Sequence, residues 1–194
     1  MVGRLMETAL IGAVLHAVAS RRAAMYGKGR SMRTSLFLAW GASSLAVAML
    51  VPTAPSTAPT LLACVGVSAV TDLETGYIFD AVVAPAGIVA AVSALCSGTA
   101  GDAAIGCFAC GALLLGLRVV SGGNIGLGDV KLGCLIGTIG PVNGIISLGT
   151  AFVAGAVYVT CGRAFGHGAP KRYVPFAPFL AFGTFASLLR GAYW

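Results

Sequence analysis

Charge is what this chain has least of. Asp, Glu, Lys and Arg make up 9% of its 194 residues, against about 25% in a soluble globular domain. That shortage excludes water as the main solvent of the chain. Histidine is nearly absent, with two residues, and acids number six, so a His-rich or acidic metal cluster has few candidates. No GxxxxGK[ST] run occurs, which removes a phosphate-cradling loop. Cysteine is present, but Cys107 and Cys110 form a single CxxC inside apolar sequence, with no second pair or polar loop to complete a zinc site. The cysteines therefore read as small apolar packing residues. The net charge of +6 comes without a stacking platform or basic fold motif, so nucleic acid is not an expected partner.

What the chain has in quantity is apolar sequence. Hydrophobic residues account for 58% and glycine for 28 positions, and the mean hydropathy is +0.94. Such a composition suits helices packed closely in lipid, where small residues let backbones approach. Apolar stretches at 5–19, 35–51, 60–71, 81–96, 103–120, 130–140, 144–161 and 174–189 predict an all-α, polytopic transmembrane bundle of about eight spans. One membrane-embedded domain over 1–194 is expected, with a two-helix segment at 1–51 and a core at 60–194. The first stretch carries Glu7 and closes on Arg21 and Arg22, so it reads as a retained helix rather than a removable signal. The stretch at 130–140 is the shortest and invites a re-entrant reading.

Orientation follows from the bases. Arg21, Arg22, Lys28, Arg30 and Arg33 lie between the first two stretches, which puts that connection in the cytoplasm. Alternation then places the connections near 72–80, 118–129 and 163–172 on the same side, and the basic loop at 163–172 favours a full crossing by 130–140.

Scarcity makes each acid informative. Asp72 ends the apolar run LLACVGVSAVT and Asp129 precedes VKLGCLIGTIG. On this topology both stand at cytoplasmic helix ends, at similar depth, where they can face one another. Two close carboxylates resist joint ionisation, so one keeps a proton. That is the chemistry of an aspartic protease, one group drawing a proton from water and the other giving one to the scissile amide. The plainer reading is that each caps a helix end. In SGGNIGLGDVKLG, Gly122, Gly123, Gly126 and Gly128 permit positive φ and the close passage of another backbone, which an extended substrate would use.

Gly126-Leu127-Gly128-Asp129 followed by Lys131 resembles the GxGDxK signature of the type IV prepilin peptidases, membrane aspartyl proteases of the GxGD class. Asp72 opens DLETGYIFD, similar to the family's first catalytic segment, with Ile78 and Asp80 matching and Phe79 in place of the usual proline. Val174 to Gly183, VPFAPFLAFG, resembles the family's Pro-Phe-x-Pro-Phe-Leu segment. The resemblance implies catalysis by Asp72 and Asp129, motif support from Gly126, Gly128 and Lys131, and no metal or organic cofactor. It implies substrates that are prepilin or pseudopilin precursors, cut at the cytoplasmic face of a prokaryotic cell membrane between a basic leader and an apolar helix. Larger members carry a methyltransferase portion with two CxxC pairs. The 15-residue connection from Ser20 to Thr34 has no cysteine, so the short form without methylation is expected.

Two other classes compete. A transporter or channel-like protein would place an acid near the midplane and often shows inverted repeats; neither is evident. A serine protease would need a Ser–His pair, and His16 with Ser43 or Ser44 has no supporting motif. The oligomeric state and the particular pilus or secretion system stay open.

Overall fold

The computed structural model describes residues 58–164 and 174–190, together with 13–14, 17–19 and 21. The described residues are helical, with no strand among them, in agreement with the all-α expectation. Six helices follow in order: α1 Ala58–Thr75, α2 Asp80–Cys96, α3 Ala100–Val120, α4 Leu127–Gly137, α5 Pro141–Ala164 and α6 Ala177–Arg190.

The helix α1 is apolar on every side, and a helix of that kind must be covered all round. It is buried along almost its whole length through Asp72, with Leu61, Leu62, Val65 and Val67 at the centre of the core. Leu132 and Ile136 of α4, Leu148 of α5 and Leu180 of α6 complete that core. Helices α5 and α6 meet closely enough that a Cβ on Gly183 would collide with the Ser147 carbonyl. Ser187 Oγ reaches across to donate to the Asn143 carbonyl at 2.9 Å.

The outer surface is apolar too. Ile88 and Leu95 on α2, Ile105, Phe108 and Val119 on α3, and Val142, Val153 and Val157 on α5 all point outward. Two helices, α3 and the stretch Pro141–Gly162 of α5, are long and apolar enough to cross a membrane. Helices α2 and α6 are apolar but shorter, and α4, with 11 residues, rises only about 16 Å. The described helices thus do not support a count of eight spans. The reason is physical: length, not apolarity, is what α4 and α6 lack. The expected helices at 5–19 and 35–51 lie outside the described residues, apart from the few positions named above, and so do most of the basic loop at 163–172 and its neighbours.

Candidate active site

Asp72 sits in the last turns of α1. The helix continues past it to Thr75, whose hydroxyl donates to the Thr71 carbonyl at 2.7 Å, and Gly76, at φ 72°, then turns the chain out of the helix. The side chain of Asp72 is 2% exposed. Its Oδ2 accepts the backbone N–H of Ala177 at 3.0 Å. Ala177 is the first residue of α6, so the carboxylate faces the positive end of a helix dipole, a setting that suits an anion.

The segment before Ala177 makes that contact possible. Val174 and Phe176 flank Pro175, and a residue before proline is held extended; the helix begins only after Phe176. Phe176 stacks with Phe152 at 5.0 Å and with Phe179 at 6.4 Å, and Phe179 meets Tyr158 at 5.6 Å. These rings fix the start of α6 against α5, and so fix the N–H that Asp72 accepts.

Asp129 comes from the other side of the sequence. Helix α4 opens at Leu127, with Gly126 as its extended N-cap, ahead of the apolar stretch and outside the two helices long enough to cross. Asp129 Oδ2 reaches back to accept the Gly126 N–H at 3.2 Å, half of a capping box. The capping reading of this acid is therefore real, but it uses one oxygen. The other, Oδ1, is buried with no hydrogen-bond partner among the described residues. A buried carboxylate oxygen left this way is costly when charged. Burial, first, and then the negative charge of Asp72 push the Asp129 carboxyl up to about 6, with the Gly126 N–H opposing them.

The glycines divide their work. Gly122 and Gly123 adopt φ of 66° and 90° and end α3, the Gly123 N–H reaching the Arg118 carbonyl at 2.8 Å. Arg118 then donates to the carbonyls of Ile125 and Gly123, pinning the loop. Gly128 is required by packing: a Cβ there would lie 2.8 Å from the Cβ of Ile78. The close approach expected to serve a substrate backbone is occupied by Ile78. The DLETGYIFD segment is thus seated directly on the GxGD turn.

A second link joins the same two segments. Lys131 Nζ donates to Asp80 Oδ1 at 2.7 Å, so Lys131 pairs with the last acid of the first segment rather than with Asp129. Both side chains are more than half exposed, and exposed pairs contribute about 0.2–1 kcal/mol. Lys131→Met is therefore expected to change the thermal unfolding midpoint by no more than a few degrees, and a loss of fold would contradict this. Phe79, in the proline position, has φ −86°, close to the proline range, and its ring is buried; the backbone path tolerates the exchange.

The signal missed in sequence was the direction of these contacts. Ile78 onto Gly128 and Ala177 onto Asp72 bring together all three segments that carry the resemblance. Asp102, by contrast, is exposed in the first turn of α3, at the opposite end of that helix from the GxGD loop. Cys107 is partnered by Cys134 of α4 as well as neighbouring Cys110, and no group of three or more His, Cys, Asp or Glu among the described residues is arranged to hold a metal. Compared with family models, curated proteins and solved structures, the chain matches none.

Proposed function

We propose that this chain is a membrane-embedded aspartyl endopeptidase that removes the basic leader from prepilin or pseudopilin precursors at the cytoplasmic face of a prokaryotic membrane. One observation carries the reading: two buried carboxylates from distant segments, Asp72 and Asp129, are brought to one end of the bundle by Ile78 packed on Gly128 and by the Ala177 N–H on Asp72. Lys131, two residues along from Asp129, is engaged by Asp80. The outward-facing apolar side chains and the two long apolar helices favour lipid surroundings, and the bases at 21–33 favour the cytoplasmic orientation. The expectation of about eight crossings belongs to this proposal.

In the mechanism, Asp72, stabilised by the Ala177 N–H, is the ionised partner and draws a proton from a water held between the two carboxyls. Asp129, kept neutral by burial and by the Asp72 charge, presents its proton to the scissile carbonyl and then to the leaving nitrogen. The water oxygen bonds to the carbonyl carbon, the C–N bond breaks, and the pair ends with one proton shared, as it began.

The test is cleavage, by the purified protein in detergent, of a precursor with a basic leader, a glycine and an apolar helix. Failure to release the leader would sink the proposal. The pH profile adds a second readout. An acid whose folded pKa is raised is active in its protonated form below that pKa and loses it as pH rises. So kcat/KM is expected to fall as pH rises through about 6. The apparent values belong to the coupled pair. A rate that climbs steadily from pH 6 to 9, as a histidine or serine base would give, would point to different chemistry.

A further inference from the structure

A cleft of about 720 Å³ lies between α2, α3 and α4 and touches neither catalytic carboxylate. Asp80 and Lys131 stand at one end, and the walls are built from small side chains, among them Gly87 and Ala91 of α2, Ala104 of α3 and Cys134 of α4. We infer that this cleft seats the apolar helix of the precursor, holding it along α2 so that the bond ahead of it lies at the aspartates. The inference rests on the peptidase reading above.

Four observations point to that occupant. The first is continuity: Lys131 stands two residues past Asp129, across the start of α4 from it, and Asp80 comes two residues after Ile78, which packs on Gly128. The mouth of the cleft is thus made from the two segments that carry the candidate site. The second is length. The α2 wall runs from Asp80 to Leu95, a rise of roughly 22 Å at 1.5 Å per residue, which matches an apolar helix entering from the cytoplasmic face. The third is chemistry. Past the mouth pair the only polar side chain in the lining among the described residues is Thr138, and its hydroxyl already donates to the Leu135 carbonyl at 2.7 Å. An occupant must therefore satisfy its own backbone, as a helix does.

The fourth is wall shape. Gly and Ala along a helix let a second helix backbone come close, and a Cβ on Gly87 would meet nothing within 4 Å. Among the described residues, the free space beside Gly87 belongs to the cleft and not to helix packing. Gly87→Leu therefore fills the cleft without disturbing the fold.

Gly87→Leu is expected to raise KM for the precursor roughly tenfold while kcat stays within about twofold, the signature of lost binding rather than lost chemistry. Cross-linking gives an independent readout. In the uncleaving Asp129→Asn variant, single cysteines walked along the precursor's apolar helix should form disulfides with Cys107 and Cys134, which line the cleft, at every third or fourth position. Cys161, exposed on α5, should stay unlinked. An unchanged KM, a fall in kcat alone, or linking to Cys161 as strong as to the cleft cysteines would overturn the inference and leave the cleft to lipid. If the unaltered protein cuts no such precursor, the peptidase reading fails and this inference with it; if it cuts the precursor and Gly87→Leu does not matter, only this inference fails.

Discussion

Asp72→Asn and Asp129→Asn are each expected to reduce precursor cleavage by roughly 10³-fold or more, since each removes a proton-transfer group and such groups contribute about 10²–10⁴-fold apiece. The substitutions are close to isosteric. Asn at 129 keeps an oxygen that can accept the Gly126 N–H, and Asn at 72 keeps one for Ala177, so helix starts and packing should survive. Gel filtration of the purified variants checks that point. In the proposed mechanism the carboxylates act as one unit on one water, so the double variant should be no slower than the worse single variant; independent contributions would multiply instead. Asp102→Asn provides the control, expected within about twofold of the unaltered rate, as exposed positions away from special features have small effects. Full activity in either Asn variant at 72 or 129 would end the aspartyl mechanism. A double variant slower than both singles by their product would mean that the acids serve separate steps.

Much of this arrangement was legible in the sequence, and the shortfalls have physical causes. All six helices described here fall where apolar stretches predicted them, because a run of apolar residues needs internal hydrogen bonding whether lipid or protein covers it. The boundaries moved where polar residues extend a helix. The stretch 60–71 became Ala58–Thr75 since Asp72, Glu74 and Thr75 continue the turn until Gly76 ends it. The stretch 130–140 became Leu127–Gly137 since Asp129 supplies the cap from inside its own first turn. The start of the last helix moved to Ala177 since Pro175 holds Val174 extended. Topology suggested that the two aspartates could face one another, but gave no sign of their partners. Nothing local to Asp72 says that an N–H from α6 will satisfy it, because that contact spans the chain and depends on aromatic packing around Phe176. Nor does GLGD by itself distinguish a glycine reserved for substrate from one reserved for Ile78.

That last distinction yields the second large effect. Gly128→Ala would set its Cβ 2.8 Å from the Cβ of Ile78, about 1 Å inside ordinary carbon contact. Neither side can give way cheaply: residue 128 is in the first turn of α4, and Ile78 lies on the short connection from Gly76 to the start of α2. The clash therefore moves one segment relative to the other, and these segments carry Asp129 and Asp72. A displacement of about 1 Å at a catalytic centre costs on the order of 10² in rate. Gly128→Ala is expected to lose that much kcat with little change in KM, while Gly116→Ala, where a Cβ would meet nothing within 4 Å, stays near the unaltered rate. The rescue pattern is what identifies the cause. Ile78→Ala keeps the offending Cβ, so Gly128→Ala with Ile78→Ala should stay impaired. Ile78→Gly removes it, so that double variant should regain roughly tenfold, less than full activity because the connection loses a buried anchor. Equal rescue by alanine and glycine would show that the outer atoms of Ile78, not its Cβ, set the spacing. No loss in Gly128→Ala would show that the two segments can slide without parting the aspartates, and that the glycine serves the substrate after all.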